Sequence, residues 1–459
     1  MQQSLYNITF ENYVGDCVIL NTLSGQYIKV NKNQKKLLDQ IMDSCMASSV
    51  HKDLYSLLLH KGFIVENIAN ERTIAKDKYK KFFNNINYYH LTLMPTEKCN
   101  FRCPYCFESF KNGRMSKQTC DDILRFVDNE MNKYQALIVN WYGGEPLLEL
   151  EIIEYLSENF KKICGGKRKP YIASITSNGY LLSRETYTKL RKCNVTDFTV
   201  TIDGLSETHN KTRILANGDG TFETIINNIL EIKNKERSNL INFTIRTNYT
   251  EDSIKYKHHW EKFLNEKILL DKRFKYLPRY AWNNINSKLD SSQYIKFDFD
   301  DNVSMVGIVD NTLNVQNHME YMIRFQDPGY ENKLNQELYA LSKGSAICPA
   351  GLNNAMTIGA DGTLYKCQVA LENESNNVGI VGSFNEKLSL WEVDSSNLDE
   401  DCVNCKVFPF CFGIGCKAKT LQYKLRKDLW CSPFENDILK KLHILTYCSP
   451  YNKEVGKYL

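Results

Sequence analysis

Residues 97–108 read EKCNFRCPYCFE and place cysteines at positions 99, 103 and 106. A structural zinc site takes four ligands and disulfides need pairs, so three thiols at this spacing fit neither. Three thiolates close together, with no fourth nearby, suit a metal site with one open coordination position. The stretch therefore predicts an open metal centre, with Tyr105 just ahead of its third cysteine.

A second group of cysteines lies in the last quarter of the chain: Cys348, Cys367, Cys402, Cys405, Cys411, Cys416 and Cys431. Seven thiols are too many for one four-ligand site and one short of filling two. The remaining six are scattered, and we expect ordinary buried or surface thiols there: Cys17, Cys45, Cys120, Cys164, Cys193 and Cys448.

Composition and charge limit the kinds of partner and the cellular location that we expect for this protein. The chain has 459 residues, and 58 basic against 54 acidic side chains give a net charge of only +4. This balance gives no argument for a nucleic-acid or anionic-membrane partner. No basic segment followed by an apolar run opens the sequence, and no apolar run approaches about 18 residues, so we expect a cytoplasmic protein. Its cysteines are then reduced and better suited to metal than to disulfides.

The middle of the chain, residues 89–280, alternates between two patterns. Short apolar or β-branched runs that predict strands begin at His90, Ala136, Tyr171, Asp197, Ile241 and Phe274. Helical patterns lie between them, for example at residues 118–134, 152–163 and 222–235. This alternation predicts an α/β fold, a partial (β/α)6 barrel whose functional residues gather at the C-terminal ends of the strands.

Polar and glycine residues follow the predicted strands at those ends: Gly143, Gly144 and Glu145 after the second, Ser177 and Asn178 after the third, and Asp203, His209 and Arg213 after the fourth. Paired glycines allow a ligand to approach the backbone, and a carboxylate can bind an ammonium group. Hydroxyl and amide groups suit a ribose. We expect all of them to meet the three cysteines at one mouth of the barrel.

Together, CNFRCPYC, GGE and SNG at three successive strand ends resemble the signature of radical S-adenosylmethionine (SAM) enzymes. The resemblance implies that Cys99, Cys103 and Cys106 hold a [4Fe–4S] cluster whose fourth iron binds SAM. It also implies a one-electron donor such as flavodoxin or ferredoxin. The SAM contacts that it implies are Tyr105, Gly143, Gly144, Glu145, Ser177, Asn178, Asp203 and Arg213. It identifies no catalytic residue.

Residues 347–459 resemble the SPASM domain of peptide-modifying radical SAM enzymes, which holds two auxiliary [4Fe–4S] clusters and brings the total to three. Its topology implies Cys348, Cys367 and Cys416 for the first cluster and Cys402, Cys405, Cys411 and Cys431 for the second. Four residues separate Cys411 from Cys416 where three are usual. The first cluster lacks a fourth cysteine, which leaves room for a substrate thiolate, for Cys448 or for another group. A zinc ribbon at Cys402, Cys405 and Cys411 is the alternative.

Residues 1–88 predict a separate small domain: a hairpin turning at Ser24 and Gly25, two amphipathic helices, and a link near residues 67–87. The pattern resembles the PqqD-like winged-helix element with which peptide maturases bind a leader peptide. An extension that merely packs on the barrel is the alternative. Residues 281–346 form a bridging region with one helix expected near residues 318–325. A further hairpin is expected around Asp361 and Gly362.

The leading hypothesis is a maturase that forms a thioether crosslink in a ribosomally made precursor peptide. Another crosslinking or epimerising maturase is an alternative, as is a sulfatase-maturing enzyme. Sulfatase-maturing enzymes carry Asp directly after the hairpin cysteine, where this chain has Gln368. A non-catalytic iron–sulfur electron carrier would explain the cysteines but not the residues at the other strand ends.

Overall fold

The computed structural model describes residues 2–11, 15–44, 52–84, 86–281, 288, 290–293, 349–391 and 400–411. The expected helix near residues 318–325 lies outside this part of the chain, as do Cys348, Cys416, Cys431 and Cys448. Of Cys411, only the backbone is described.

The centre of the molecule is a ten-stranded sheet in which the six strands nearest one edge are parallel and lie side by side in sequence order. These strands are β6 (Tyr88–Leu93), β7 (Ala136–Trp141), β8 (Tyr171–Ser177), β9 (Val195–Thr201), β10 (Asn242–Tyr249) and β11 (Phe274–Tyr280). All six begin within two residues of the predicted strands. Parallel neighbours in sequence order, each crossing over through helix, are the partial barrel that the pattern predicted.

Helices between the strands cover the sheet: α4 (Lys117–Lys133), α5 (Leu150–Gly166), α6 (Arg184–Lys192), α7 (Ser206–Thr212), α8 (Phe222–Lys235), α9 (Glu251–Ile254) and α10 (Lys257–Lys267). Their apolar faces explain their placement. In α8, Phe222, Ile225, Ile226, Ile229 and Ile232 are buried at helical spacing. They belong to one large core shared with the inner residues of the strands.

The hairpin expected around Gly362 is present, and it also extends the barrel. It comprises β12 (Ala355–Ile358) and β13 (Thr363–Tyr365), followed by β14 (Asn377–Ile380) and β15 (Ser383–Phe384). Strand β12 pairs in parallel with β6, the first barrel strand, while β13, β14 and β15 continue antiparallel. The hairpin therefore lies next to the strand that leads into the cysteine loop, which the sequence did not indicate.

The N-terminal part forms its own core. Strands β2 (Asn7–Glu11), β3 (Cys17–Asn21) and β4 (Tyr27–Val30) make an antiparallel sheet, and β1 (Gln2–Gln3) pairs with β5 (Ile64–Val65). Helices α1 (Lys32–Ser44) and α2 (Lys52–His60) are those predicted. The turn after α2 uses Gly62 at a φ of +82°, which only glycine adopts readily. The expected link is itself helical, α3 (Ile68–Asn84).

Three one-turn helices lie towards the end of the described chain: Leu388–Trp391, Glu400–Val403 and Phe408–Cys411. The last two pack on the N-terminal part, where Tyr6, Ala75 and Tyr79 share a buried cluster with Val403 and Phe408. Residues far apart in sequence thus form one small core. Within the described residues, no helix has the length and apolarity needed to cross a membrane.

Candidate active site

The three cysteines of the loop after β6 line one cavity at the C-terminal ends of the parallel strands. The segment after α7 holds this loop in place. Phe101 forms an antiparallel bridge with Leu215, and the amide of Arg102 donates to the carbonyl of Ile214 at 3.0 Å. The loop that carries the thiols is therefore attached to the barrel by backbone hydrogen bonds.

The chemistry of these thiols fits a cluster better than a single ion. Among the described residues, no three His, Cys, Asp or Glu side chains are grouped as ligands of one metal ion. A [4Fe–4S] cluster needs no such group, because each cysteine binds a different iron and the sulfurs stand further apart. Burial raises the pKa of Cys99 and of Cys106 to about 12. A bound metal centre would reverse this shift, because its positive charge favours the thiolate.

Gly143 and Gly144 follow β7 where its backbone meets the cysteine loop. A Cβ on Gly144 would lie 2.3 Å from the carbonyl oxygen of Lys98, and one on Gly143 would lie 2.4 Å from that of Thr96. The amide of Glu145 donates to the carbonyl of Lys98 at 2.9 Å. The sequence analysis expected these glycines to allow a ligand close to the backbone. The structure shows that they also allow close approach of the backbone of the cysteine loop.

Glu145 is fully buried behind the cavity wall, and its carboxylate joins the ends of two strands. It accepts hydrogen bonds from the Ser177 hydroxyl at 2.8 Å, from the Asn178 amide at 2.7 Å and from the Leu147 amide at 3.1 Å. Burial raises its pKa, although these donors act in the opposite direction. Glu145 therefore positions Ser177 and Asn178, both of which line the cavity.

Asn178 connects the third strand to the cysteine loop. Its side-chain amide donates to the side-chain oxygen of Asn100 at 2.8 Å and lies 3.9 Å from the sulfur of Cys99. A residue expected to contact SAM thus also fixes the position of one cluster cysteine.

Tyr105, Asp203 and Arg213 form one buried network. The hydroxyl of Tyr105 donates to Asp203 and accepts from the guanidinium of Arg213 at 2.9 Å. Asp203 also accepts from the hydroxyl of Thr212 at 3.0 Å and from the amide of Asn248 at 2.9 Å. Burial raises the pKa of Tyr105 well above its usual range, so the hydroxyl stays protonated and able to donate. The network fastens the cysteine loop to the ends of β9 and β10.

His209 lies behind this network and is fully buried. Its Nδ1 accepts from the amide of Asp203 at 3.2 Å, so Nε2 carries the proton towards the hydroxyl of Thr221, 3.0 Å away. Burial lowers its pKa well below the usual range. A neutral histidine with both nitrogens engaged supports the fold of this corner.

The cavity wall also includes residues to which the sequence analysis gave no role: Glu108, Thr201, Arg246 and Asn248. Arg246 and Asn248 lie at the end of the fifth strand, and the Nε of Arg246 donates to Asn248 at 3.0 Å. Both residues lie at the end of the stretch INFTIRTN, a predicted strand, and this position could have identified them as candidate site residues.

Glu108 lies two residues beyond the third cysteine and is only 6% exposed. Neither of its carboxylate oxygens has a hydrogen-bond partner within the described chain. Burial, and then the nearby acids Glu97 and Glu372, raise its pKa to about 8.

The hairpin brings Cys367 to the same mouth. Cys367 is buried, its amide donates to the side-chain oxygen of Asn376 at 2.8 Å, and Asn376 donates back to its carbonyl at 2.8 Å. Gln368 accepts from the hydroxyl of Thr92 at 3.3 Å, and Val369 lines the cavity of the cysteine loop. The turn that carries Cys367 thus forms part of the cavity wall.

Cys402 and Cys405 lie elsewhere, packed against the cluster that contains Tyr6 and Tyr79. Cys367, by contrast, belongs to the large core of the barrel. The complete ligand sets of both clusters stay predictions, since Cys348, Cys416 and Cys431 lie outside the described residues.

Comparison with known proteins identifies the superfamily to which the barrel domain is similar. Residues 93–257 match the model of the radical SAM superfamily. This part of the chain is a radical SAM domain, and the enzymes of that superfamily use SAM and a [4Fe–4S] cluster. The matched residues include the cysteine loop and all of the strand ends described above.

Two curated relatives and one solved structure extend over more of the chain. The cysteine-type anaerobic sulfatase-maturating enzyme of Clostridium novyi (strain NT) is 26% identical over 386 residues, which cover 77% of this chain and 94% of that enzyme. The radical SAM cyclopropyl synthase TigE of Paramaledivibacter caminithermalis is 21% identical over 86% of this chain and 85% of its own length. The structure of anSMEcpe with bound AdoMet and Cp18Cys peptide superposes with a TM-score of 0.53 at 20% identity, covering 78% of this chain and 97% of that one. At this identity, the superposition shows a shared fold.

Proposed function

We propose that this radical SAM enzyme modifies a ribosomally made precursor peptide, most specifically by closing a thioether between a cysteine sulfur and a carbon of the same peptide. One observation carries the enzymatic part: the three loop cysteines share a single cavity with Gly143, Gly144, Ser177 and Asn178. SAM and a reduced [4Fe–4S] cluster held there would supply a 5′-deoxyadenosyl radical able to remove a hydrogen atom from the substrate.

In this proposal, Cys99, Cys103 and Cys106 hold the cluster. Backbone groups at Gly143 and Gly144 face the methionine part of SAM, and Ser177 and Asn178 face its ribose. The remaining proposed contacts, Tyr105, Asp203, Arg213 and Glu145, act largely by fixing the loop and the strand ends. The hydrogen bonds of Glu145 to Ser177 and Asn178 support this positioning role.

A peptide substrate is supported by what the similar proteins are. The solved structure with a TM-score of 0.53 holds a peptide beside AdoMet, and the relative from Clostridium novyi is named as a sulfatase-maturating enzyme. Val369, two residues after Cys367, lines the cavity of this chain, and in this proposal its turn faces such a peptide.

Thioether closure needs an acceptor for one electron. Of the two hydrogens that leave the peptide, one is transferred as an atom to the 5′-deoxyadenosyl group and the other leaves the thiol as a proton. The remaining electron needs an oxidant, a role that we assign to the predicted auxiliary clusters at Cys348, Cys367 and Cys416 and at Cys402, Cys405, Cys411 and Cys431. The buried turn of Cys367 at the cavity wall supports this assignment.

The second candidate is maturation of a sulfatase by oxidation of a cysteine. It is favoured by the match to 94% of the Clostridium novyi enzyme. Against it stands Gln368, an amide that accepts a hydrogen bond from Thr92 and cannot serve as the base that the aspartate of those enzymes provides.

We assign leader recognition to the N-terminal sheet. Strands β2 and β4 are its edges, and an extended leader can add to such an edge by main-chain hydrogen bonds. A precursor with its leader should then be modified at lower concentration than the core peptide alone, and excess free leader should compete. Equal modification of both peptides would assign the domain a packing role.

The proposed function is tested by anaerobic reconstitution with iron and sulfide, followed by SAM and a reductant. Replacement of Cys99, Cys103 and Cys106 together by Ala should abolish 5′-deoxyadenosine formation while iron remains at the C-terminal sites. The matched control replaces Cys120, Cys164 and Cys193, three buried cysteines of the barrel core, and should retain the activity. Unchanged 5′-deoxyadenosine formation in the first variant would overturn the assignment.

A further inference from the structure

Glu108 is a buried acid of the cavity that the proposed SAM chemistry does not use. It lines the cavity and is only 6% exposed. Both oxygens lack a hydrogen-bond partner in the part of the chain that the structure describes. Burying a carboxylate without donors is unfavourable by several kcal/mol in typical cases, so such a group persists where a ligand supplies the donors.

Two other acids surround Glu108, and both already have partners. Glu97 accepts from the backbone amide of Asn112 at 2.9 Å and from its side-chain amide at 2.8 Å. Glu372 is paired with Lys111. Only Glu108 of these three acids is left with unused acceptors facing the cavity.

The charged groups near Glu108 indicate which kind of hydrogen-bond donor it would bind. The acids Glu97 and Glu372 act on Glu108, although Glu372 is paired with Lys111, and Arg213 and Arg246 also line the cavity. A cationic donor would compensate the negative charge at the Glu108 side of the cavity and donate hydrogen bonds at the same time.

The acids lie to one side of most of the proposed SAM contacts. Apart from Tyr105, those contacts follow β7, β8 and β9, whereas Glu97 and Glu108 follow β6, as Tyr105 does, and Glu372 follows β13. In the sheet, β6 lies next to β12, and β12 and β13 form the hairpin that leads to Cys367. Val369, from that hairpin, lines the same cavity. Glu108 therefore lies on the side of the cavity that a bound peptide would share with the hairpin.

We propose that Glu108 binds the side chain of a lysine or arginine in the substrate peptide, and so selects a basic residue close to the position that is modified. This inference rests on the proposed peptide substrate. Glu97 and Glu372 strengthen the local field, while Glu108 makes the contact.

The test uses two capped tripeptide probes, acetyl-Gly-Lys-Gly-amide and the same peptide with norleucine in place of lysine. Binding to the reconstituted holoenzyme with SAM present is measured by anaerobic titration calorimetry. The lysine probe should bind at least about tenfold more tightly than the norleucine probe, since loss of one member of a buried charge pair has effects of this size or larger. This comparison needs no variant.

Two variants then locate the effect. In Glu108→Gln, the two probes should bind within about twofold of each other, because an amide keeps the shape but cannot form an ion pair with the lysine ammonium group. In the matched control, Glu372→Gln, the preference for lysine should persist, because that carboxylate is paired with Lys111 outside the cavity wall.

Equal binding of the two probes to the unaltered enzyme would overturn the proposal, as would failure of the lysine probe to bind. It would also fail if Glu108→Gln kept the preference, or if this variant weakened SAM binding alone, which would make the ammonium group of SAM the partner. The readout is separate from radical chemistry. Lysine-selective binding without 5′-deoxyadenosine formation would sink the proposed function and leave this site standing.

Discussion

The hydroxyl of Tyr6 donates a hydrogen bond of 2.7 Å to the carbonyl oxygen of Val403, although 397 positions separate the two residues. Around it, Thr22 donates to the carbonyl of Lys406 at 2.5 Å and Lys76 pairs with Glu400 at 2.7 Å. Val403 directly follows Cys402, a predicted ligand of the second auxiliary cluster. The proposed leader-binding domain therefore shares a core with the segment of that cluster, and removing the whole domain would expose Val403 and Phe408.

Tyr6→Phe should loosen this contact without touching the barrel. The carbonyl of Val403 would lose its buried donor, which destabilises by about 1–3 kcal/mol. We expect a lower thermal midpoint and faster loss of iron from the C-terminal sites, with 5′-deoxyadenosine formation retained. The exposed Tyr256→Phe is the control and should change stability by less than about 0.5 kcal/mol. Equal iron loss from both variants would contradict the prediction.

Gly144→Ala should displace the cysteine loop, because its Cβ would lie 2.3 Å from the backbone oxygen of Lys98 and 2.4 Å from that of Glu97. Backbone atoms cannot rotate away as a flexible side chain can. We expect 5′-deoxyadenosine formation to fall about 100-fold, since displacements near 1 Å have effects of this size. Gly165→Ala, in α5, is the control: its Cβ would meet nothing within 4 Å. Full activity of Gly144→Ala would show that the loop tolerates the shift.

Tyr105→Phe should weaken the attachment of the cysteine loop to the barrel. Asp203 and Arg213 would each lose a buried partner, a loss of about 1–3 kcal/mol. The expected results are weaker SAM binding in calorimetry and a lower thermal midpoint of the reconstituted enzyme. In the control, Tyr180→Phe, the ring contact with Phe101 is kept and little change is expected. If both variants bind SAM alike, the network contributes nothing to the site.

Asp271 makes the stability of the last barrel strand depend on pH. Hydrogen bonds from Arg273, including one of 2.6 Å, lower the pKa of Asp271 below its usual value of 3.8. Because the folded pKa is depressed, the stabilisation is present above pH 3.8 and is lost as the pH falls through the lower folded value. In Asp271→Asn, we expect a lower urea midpoint than the parent at pH 7 and a smaller difference near pH 3.

The control for this pH dependence is Glu266→Gln on the exposed face of α10. It should leave the urea midpoint unchanged at both pH values. A difference between Asp271→Asn and the parent that is the same at pH 7 and at pH 3 would contradict the argument, because protonation would then have no part in it.

The sequence alone was sufficient to predict the barrel and the order in which the site residues follow its strands. Strands β7 and β11 begin and end where the predicted runs do. In β7, period-two burial leaves a direct pattern in the sequence. The cysteine spacing and the residues after β7, β8 and β9 indicated one shared mouth, because parallel strands present their C-terminal ends at one edge. Local pattern and simple topology are sufficient for these features.

Only the tertiary structure decided which residues meet across long separations. Pairing of β12 with β6 brings Cys367 to the cavity, and Tyr6 reaches Val403, yet neither contact leaves a periodic signal in the sequence. The role of Glu145 also depends on the tertiary structure. The sequence suggested that it binds a ligand, but its carboxylate accepts hydrogen bonds from Ser177 and Asn178. Glu108 gave no signal at all, because whether a carboxylate has donors depends on the groups that folding places around it.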